Sequence, residues 1–286
     1  MTENFKTITL SCTKQNKEII SMAKQCHEIL SNCGVKVLID NNLSGLKEIG
    51  LKPSSDNLIV KKSDLLISIG GDGTMLHCAR KYGSKKIPIL GINLGNLGFL
   101  NDIAPKDLTE SLLKVLEGEF IEDSRFYLET LVLNKNKKFI ALNEVVIHSG
   151  EIAKLIEYDL FINSVYVYTQ KADGLIVSSP TGSTAYSLSA GGPIVHPKVD
   201  SIIISPMLPW SLNSRSLVID ANSKIEINLT KSSQKALISF DSYTNLSLSK
   251  KERVEVSKSK SNLKLIHPKG SDFFEACRNK LGWSSS

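Results

Sequence analysis

The amino-acid sequence predicts two domains, an α/β domain followed by a β-rich domain. Up to about residue 123, short apolar runs alternate with segments of helical periodicity, which is typical of a mainly parallel sheet covered by helices. Beyond that point strand-like segments follow one another directly, with polar turns between them. Helical periodicity returns only at residues 273–281, and we expect this helix to pack on the first domain. The predicted domains are therefore residues 1–123, completed by 268–286, and residues 124–267.

Strands and helices alternate in the predicted first domain, and glycine and proline mark several of its boundaries. Gly34 stands where a C-cap glycine would end the first helix, and an Ala-Pro pair begins the last one. The predicted strands are residues 7–10, 35–39, 64–69 and 87–92, the predicted helices are residues 19–30, 75–82 and 105–117, and residues 41–55 are a polar loop.

The predicted second domain consists of short apolar segments separated by turns such as Asn163-Ser164. Residues 178–192 are expected to join a strand to a helix through a run of small hydroxyl residues. The predicted strands are residues 127–133, 139–147, 156–162, 165–169, 175–178, 201–205, 224–229, 236–240 and 253–256.

The composition excludes several classes of function. The chain has 286 residues, of which 41% are hydrophobic and 22% charged, as in an ordinary globular protein. A net charge of +6 favours anionic ligands only weakly, because the lysines occur in short scattered clusters. Aromatic residues are only 6% of the chain, and no basic stretch is interleaved with them, so we expect no nucleic-acid partner.

Cysteine, histidine and hydropathy patterns narrow the classes further. The five cysteines lack Cys-x-x-Cys spacing, which predicts reduced thiols, and the five histidines lack the spacing of metal ligands. No apolar run approaches the ~20 residues that span a bilayer, and the first residues contain no apolar signal region. We therefore expect a cytoplasmic protein without a membrane partner.

The most informative motif is Gly-Gly-Asp-Gly-Thr at residues 70–74, between a predicted strand and a predicted helix. A glycine-rich turn that opens a helix presents backbone N–H groups, which together with the helix dipole can bind phosphate. Asp72 would repel a phosphate unless it serves a metal cation or accepts a proton from an attacking hydroxyl. An equally weighted alternative is that Asp72 only caps the helix.

Two further segments contain candidate binding residues. Residues 95–100 follow the fourth predicted strand, at the sheet edge where α/β folds bind ligands, and Phe99 could cover a flat ring there. A plain turn is the alternative. Asn143 and Glu144 interrupt an apolar strand, where burying both without partners would cost several kcal/mol. Either they lie on an edge strand or at a β-bulge with one side chain in solvent, or they bind the hydroxyl groups of a ribose.

The richest stretch is residues 178–192, which joins a strand to a predicted helix through many small hydroxyl residues. Such hydroxyls could cap the helix, or they could bind the oxygens of sugars and phosphates together with Tyr186. Just upstream, Lys171 and Asp173 place a cation and an anion at a turn, which is either a binding pair or a simple ion pair.

These motifs together resemble the NAD kinase family. Residues 70–74, Asn143-Glu144 and 173–192 occur in the order seen in that family, and the resemblance extends from residue 64 to Phe240-Asp241-Ser242. The chain also resembles the proteobacterial form of the family at Leu265-Ile266-His267-Pro268 and at Lys280-Leu281-Gly282-Trp283. The resemblance implies a Rossmann-like N-terminal domain and an all-β C-terminal domain, the fold type shared by NAD kinases and diacylglycerol kinases.

The resemblance also implies a reaction, the transfer of the γ-phosphoryl group of ATP to the 2′-hydroxyl of the adenosine ribose of NAD, giving NADP. A divalent cation, expected to be Mg²⁺, would accompany ATP. By similarity Asp72 is the proton acceptor, and the family's enzymes are commonly homodimers or homotetramers. The residues that we expect to bind the nucleotide substrates are Gly73, Phe99, Asn143, Glu144, Lys171, Asp173, Thr181, Thr184, Ala185, Tyr186, Ser187, Ser189 and Tyr243.

Four positions depart from the family pattern. Lys171 stands where relatives often have Arg, and Ser179 stands where they often have Thr. Trp210 and Tyr243 replace a frequent His and a frequent Gln. A lysine cannot reproduce the bidentate contact of an arginine.

Two other functions stay open. A lipid or sugar kinase is one, because diacylglycerol kinases and phosphofructokinases resemble this chain at the Gly-Gly-Asp-Gly element, although they should lack the loop at residues 181–186. A dinucleotide-binding sensor without turnover is the other.

Overall fold

The computed structural model describes residues 5–95, 98–135, 137–151, 154–230, 236–249 and 252–283. The chain forms two compact units. The first contains residues 1–124 and 262–286, and the second contains residues 125–261. Within the described residues, no helix combines the length and the apolarity needed to cross a bilayer.

The first unit is built from alternating strands and helices. Its strands are β1 (Thr7–Ser11), β2 (Lys36–Ile39), β3 (Leu65–Ile69) and β4 (Ile89–Ile92), and its helices are α1 (Lys17–Asn32), α2 (Asp56–Lys62), α3 (Asp72–Lys81) and α4 (Leu108–Leu116). Short 3-10 helices occur at Asn41–Ile49, Gly83–Lys85 and Pro105–Asp107.

The second unit consists almost entirely of strands, and the chain then returns to the first unit with a helix. The strands are β5 (Phe120–Val132), β6 (Lys137–Ala141), β7 (Glu144–His148), β8 (Ile156–Ile162), β9 (Val165–Ala172), β10 (Gly174–Ser178), β11 (Ser201–Met207), β12 (Leu217–Asp220), β13 (Ile225–Leu229), β14 (Ala236–Phe240), β15 (Thr244–Leu248) and β16 (Arg253–Pro268). The helical segments are 3-10 turns at Leu133–Lys135 and Thr181–Thr184, then α5 (Tyr186–Ser189) and α6 (Phe273–Leu281).

A parallel sheet forms the centre of the first unit. Its strand order is β2-β1-β3-β4, followed by the last residues of β16, and every pairing is parallel. Ile8, Leu10 and Ile67 are fully buried and pack with the apolar face of α1, including Ala23 and Leu30. Because β3 and β4 are parallel neighbours, the loops that follow them leave the sheet at the same edge, where open α/β folds place their ligands.

The second unit contains two antiparallel sheets around one core. One sheet includes β16-β13-β8-β9, and the other has the order β12-β11-β10-β7-β14-β15. Val145 and Val177 of the six-stranded sheet share a core with Leu160 and Ile227 of the other. Buried and half-buried residues alternate in β13, which is the period-2 pattern of a strand with one face in the core. The predicted succession of an α/β part and a β-rich part is confirmed.

One predicted strand was wrong. Residues 139–147 were expected to form a single strand, whereas β6 and β7 are separate strands that belong to different sheets. The chain breaks at Leu142 and Asn143, because their backbone N–H groups, with that of Glu144, donate to the carboxylate of Asp241. Amides engaged in this way are not available to continue one β-ladder.

Several element boundaries also differ from the prediction. The predicted polar loop at residues 41–55 contains the Asn41–Ile49 3-10 helix, whose N-cap side chain is Asp40. Three short α-helices and strands were missed, α2, β12 and β15, and the helix expected within residues 178–192 is the single turn α5. The strand expected at residues 253–256 continues to Pro268, whereas the helix predicted at residues 273–281 is confirmed as α6.

Candidate active site

Asp72 is the first residue of helix α3, and it does not cap that helix. The N-cap is Gly71, which has extended backbone angles and makes no side-chain capping bond. The Asp72 carboxylate instead accepts a hydrogen bond from the N–H of Phe99 at 3.0 Å, and a second from the N–H of Leu100 at 3.3 Å. The helix-cap interpretation is therefore wrong. The residues after β4 hold the carboxylate in place.

Glycines leave room on both sides of this carboxylate. A Cβ atom at Gly98 would collide with Asp72 Oδ1, so only glycine lets the segment after β4 approach so closely. Gly73 is different, because a Cβ atom there would meet no atom within 4 Å in the described structure. The backbone at Gly73 is thus open to an approaching group.

A lysine and two aromatic rings complete the surroundings of Asp72. Lys280 of α6 places Nζ 3.6 Å from Asp72 Oδ2 and 5.4 Å from the centre of the Phe99 ring. The rings of Phe99 and Phe273 lie 6.3 Å apart, centre to centre. Phe99 therefore packs against α6 as well as binding Asp72 through its backbone. The nearby prediction for residues 95–100 falls partly on Asn96 and Leu97, which lie outside the described residues.

In the second unit, a buried aspartate organises the predicted Asn143-Glu144 pair. The carboxylate of Asp241 accepts hydrogen bonds from three consecutive backbone N–H groups, those of Leu142 at 2.8 Å, Asn143 at 2.8 Å and Glu144 at 3.2 Å. Asp241 itself has a positive φ of 48°. These bonds end β6, let β7 begin at Glu144, and fix the backbone of Asn143 beside it.

Both members of the pair carry buried polar atoms. Asn143 is 8% and Glu144 3% exposed. Within the described part of the chain, Asn143 Oδ1 and Glu144 Oε2 have no hydrogen-bond partner. A buried polar atom without a partner costs ~1–3 kcal/mol, so each such atom needs a partner, which a bound ligand or an ordered water can supply. This arrangement suits a ligand with hydroxyl groups, which both donate and accept.

The hydroxyl-rich loop is fastened to Asn143. Ser179 donates its hydroxyl to Leu142 O at 2.5 Å, and its N–H donates to Asn143 O at 2.9 Å. A Cβ atom at Gly182 would collide with the carbonyl group of Asn143, which explains the glycine. The loop therefore approaches the pair at van der Waals distance.

The predicted loop residues fall into two groups. Buried Thr181 and Ser187 use their hydroxyls inside the unit, because Arg125 donates to Thr181 Oγ1 at 3.2 Å and Ser187 Oγ lies 3.3 Å from Ser205 Oγ. Tyr186 is exposed, and its N–H group donates to Glu144. Thr184, Ala185 and Ser189 are half-buried or exposed in the same segment, so a ligand can reach them.

Tyr186 also lines a pocket of about 260 Å³ in this unit. The other lining residues are Val146, His148, Met207, Ser239, Ser242 and Asn245. Tyr243, the next residue after Ser242, is 66% exposed. The strand that begins with Glu144 thus leads directly into a small polar cavity.

Lys171 lies elsewhere in the second unit. Its Nζ is 3.4 Å from Glu157 Oε1, and it lines a pocket of about 560 Å³ with Trp210 and Arg215 among others. Of the residues described, none lines both pockets. Asp173, which is half-buried, is anchored through its backbone, because its N–H donates to Met207 O at 3.0 Å. The structure brings Asn143, Glu144 and Tyr186 together but places Lys171 in a separate cavity.

The environment of Glu144 changes its acidity. Burial, and then the neighbouring charge of Asp241, raise its pKa to about 8, against the opposing effect of the Tyr186 N–H hydrogen bond. At neutral pH the Glu144 side chain is therefore mostly a carboxylic acid, which donates one hydrogen bond as well as accepting others.

This shift predicts a pH-dependent stability. Glu144 is protonated in the folded chain up to about pH 8 but ionises at its ordinary pKa when unfolded, so raising the pH through this window favours unfolding. Relative to Glu144→Gln, the wild type should lose on the order of a few kcal/mol of unfolding free energy between about pH 4.5 and pH 8.5. Urea unfolding of both proteins at the two pH values measures this. If the difference in unfolding free energy between wild type and Glu144→Gln is the same at both pH values, the assignment is contradicted.

Two residues of this site were not predicted from the sequence. Asp241 follows strand β14 and Lys280 lies in α6, and both stood within segments that resemble the NAD kinase family. In the sequence, the available signal for Asp241 was an acid directly after the predicted strand 236–240. The structure shows that this acid is buried. No local pattern distinguishes Lys280 from the other lysines, because its partner Asp72 is remote in sequence.

Two family models match most of the chain. The model of the ATP-NAD kinase N-terminal domain matches residues 8–120, and that of the ATP-NAD kinase C-terminal domain matches residues 142–268. The chain is 41% identical to an NAD kinase of Marinobacter nauticus, covering 99% of this chain and 98% of that protein. It is 39% identical to an NAD kinase of Alcanivorax borkumensis, covering 99% and 96% of the two chains.

Solved structures are similar over nearly the whole chain. The yeast NADH kinase complexed with NADH superposes with a TM-score of 0.90 at 27% identity, covering 99% of this chain and 89% of that one. An NAD kinase from Archaeoglobus fulgidus in complex with ATP gives a TM-score of 0.76 at 26% identity, covering 96% and 97%. With both family models matched in order, and with relatives about 40% identical over their full length, the chain belongs to the NAD kinase family.

Proposed function

We propose that this chain transfers the γ-phosphoryl group of ATP to the 2′-hydroxyl of the adenosine ribose of NAD and so produces NADP. The observation that carries the proposal is the position of Asp72, which opens helix α3 while two backbone N–H groups hold its carboxylate. Membership of the NAD kinase family supports the reaction. The relatives complexed with NADH and with ATP support these two classes of substrate.

Asp72 acts mainly by orientation. A carboxylate is a far weaker base than an alkoxide, so it is a poor base toward an alcohol in the ground state. In a loose phosphoryl-transfer transition state the attacking hydroxyl loses its proton late, so the catalyst must above all place that hydroxyl in line with phosphorus. Each Asp72 oxygen accepts one N–H and has a further lone pair for the substrate hydroxyl.

The turn around Asp72 suits the phosphates. Gly71 and Gly73 present exposed backbone without side chains. The bonds of the helix begin where Thr74 N–H donates to Gly71 O at 2.8 Å, so the N–H groups of Asp72 and Gly73 precede them. The positive end of the helix dipole favours an anion at the same place. We assign the triphosphate of ATP to this turn.

The residues present fit a divalent cation that is held mainly by the substrate. Among the described residues, no group of three histidine, cysteine, aspartate or glutamate side chains is placed to hold a metal ion. Mg²⁺ commonly needs only one or two carboxylates, because substrate phosphates and water fill its other positions. Asp72 is the carboxylate of the motif that would approach it, and the cation would neutralise charge on the triphosphate.

Asn143 and Glu144 are proposed to hold the nucleotide through its ribose hydroxyls. Their unpartnered oxygen atoms accept hydrogen bonds, and Glu144 in its acid form also donates one. Thr184, Ala185, Tyr186 and Ser189 would line NAD, and Thr181 and Ser187 would keep the loop in shape. Asp173 is assigned to the nicotinamide end, and Phe99, Gly73 and Tyr243 remain binding candidates.

One incubation tests the reaction. The purified protein is mixed with NAD or NADH, with ATP or polyphosphate, and with or without Mg²⁺, and NADP or NADPH is measured enzymatically. NADP formed from NAD, ATP and Mg²⁺ is the expected result. Binding of NAD without any product would favour the sensor, and phosphorylation of a lipid or sugar in its place would favour the other kinases. The same assay identifies the donor and the preferred acceptor.

Lys171 provides a test of substrate binding. Lys171→Ala is expected to raise KM for NAD about 3- to 10-fold with little change in kcat, since one charged contact to a bound anion is worth roughly 1 kcal/mol at an exposed site. Lys224→Ala is the matched control, because Lys224 is also an exposed lysine of this unit, paired with Glu255 at 2.8 Å. Steady-state kinetics of both variants measure the effect, and an unchanged KM removes Lys171 from the site.

A cytoplasmic location and a homodimer or homotetramer stay predictions from the sequence and the resemblance. Size-exclusion chromatography with light scattering measures the second directly.

A further inference from the structure

Helix α6 brings a cation from the end of the chain to Asp72. Lys280 Nζ lies 3.6 Å from Asp72 Oδ2, which is within ion-pair range but longer than a strong hydrogen bond. Both side chains are about 30% exposed, so the pair is only partly screened by water. We propose that Lys280 is a positioning residue for Asp72, and this inference rests on the proposed function of Asp72.

The position of Lys280 is coupled to the groups that bind Asp72. Its ammonium group lies 5.4 Å from the centre of the Phe99 ring, a distance typical of a cation–π contact. The N–H of the same Phe99 donates to Asp72 Oδ2, the oxygen that faces Lys280. Phe99 thus binds the carboxylate through its backbone and the ammonium through its ring, and the three groups fix one another.

The rest of the C-terminal segment supports this arrangement. The Phe273 ring of α6 packs on Phe99, and the His267 ring bonds the carboxylate of Asp102, three residues beyond Phe99. The side-chain amide of Asn101 donates to Gly70 O at 3.3 Å, just before the Asp72 turn. The segment after β4 is therefore held from two directions, and Lys280 is the contact that reaches the reacting carboxylate itself.

A positioning role differs measurably from an ordinary surface ion pair. Exposed pairs contribute little to stability, so a structural role would show as a small change in unfolding and no change in turnover. A residue that orients the carboxylate should lower kcat and leave KM nearly unchanged, because most of the groups proposed to hold the nucleotides lie elsewhere.

The first experiment compares Lys280→Met with Lys114→Met. Methionine keeps the length of the side chain and removes the charge, and Lys114 is a control in the same unit, also in the last turn of a helix and paired with Glu110. Lys280→Met is expected to lower kcat about 10- to 100-fold with KM for NAD and ATP within about 2-fold of wild type. Lys114→Met should match the wild type. An unchanged kcat in Lys280→Met overturns the inference.

A second pair of variants guards against misfolding. Lys280→Arg should restore most of kcat, because arginine carries the charge at a similar reach, whereas Lys280→Gln should not. Thermal unfolding of each variant should stay within about 3 °C of wild type, the shift expected for a weak ion pair. If Lys280→Arg is as slow as Lys280→Gln in folded protein, the charge is not what matters and the inference fails.

A double-mutant cycle decides whether Lys280 acts through Asp72. In the Asp72→Asn background, adding Lys280→Met should change kcat by less than about 2-fold, because the carboxylate that it positions is already gone. Multiplicative losses would mean that Lys280 acts independently of Asp72, which overturns the inference. A wild type that makes no NADP would instead refute the proposed function, so the two failures are distinguishable.

Discussion

Asp72→Asn is expected to lower kcat for NADP formation by about 10³-fold while KM for NAD changes less than about 3-fold. The asparagine side chain keeps the size of the aspartate but has only one acceptor oxygen for the N–H groups of Phe99 and Leu100. The NH₂ group of the asparagine then faces either a backbone N–H or the substrate hydroxyl, and it cannot accept a proton. The variant thus loses the acceptor without changing the nucleotide site that we propose in the second unit.

The measurement is steady-state kinetics with coupled detection of NADPH, together with equilibrium binding of NAD. Asp107→Asn is the matched control, because Asp107 is an exposed acid of the same unit that makes no capping bond to its helix. The control should retain wild-type kcat and KM. A near-normal kcat for Asp72→Asn would refute the assignment of Asp72 as the acceptor.

Asp241→Ala is expected to destabilise the second unit strongly. It removes the acceptor for three buried backbone N–H groups, and each unsatisfied donor costs ~1–3 kcal/mol. Allowing for water that enters the vacated space, we expect a loss of about 3–5 kcal/mol in unfolding free energy. KM for NAD should also rise, because Asn143 and Glu144 lose the bonds that orient them.

Urea unfolding measures the first effect, and kinetics of the folded fraction measure the second. Asp220→Ala is the control, since Asp220 accepts a single N–H, that of Asn222 at 2.7 Å, in an exposed turn. It should cost less than about 1 kcal/mol. Asp241→Asn should lie between the two, and because it removes a neighbouring negative charge, it should also lower the pKa of Glu144 toward its ordinary range. Equal stabilities of Asp241→Ala and Asp220→Ala would contradict this account.

The fold class was predictable because it depends on short-range patterns. Alternation of apolar runs with helical periodicity predicted β1, α1, β3 and α3 to within a few residues. Period-2 segments likewise predicted β8 and β13. In each case the residues that face the core recur every two positions in a strand, or every three to four in a helix. A short stretch of sequence is therefore enough to predict the element.

The errors occur where an element is short or where a distant residue decides. Helix α2 has seven residues and buries only Ile59, which is too little for a periodic signal. Residues 139–147 are apolar almost throughout, and the break between β6 and β7 depends on Asp241, about 100 residues further along the chain. A short stretch of sequence around Asn143 and Glu144 does not include Asp241, so its local pattern cannot show the break.

The candidate site shows the same division. The sequence by itself determined the reaction class, because Gly-Gly-Asp-Gly, Asn143-Glu144 and the loop around Tyr186 occur together and in the family order. It left open whether Asp72 caps a helix or faces a ligand. The tertiary structure excluded the cap, because the Asp72 carboxylate accepts the N–H groups of Phe99 and Leu100, and it added Lys280 as a partner of Asp72.

The physical reason is the range of the interactions involved. Glycine freedom, helix periodicity and hydroxyl-rich loops are local properties, which a sequence displays directly. The direction of a carboxylate and the acidity of a buried side chain depend on donors and charges a few ångströms away in space, and folding brings these from remote parts of the chain. For Asp72 they come from residues 98–100 and from α6, and for Glu144 from Asp241.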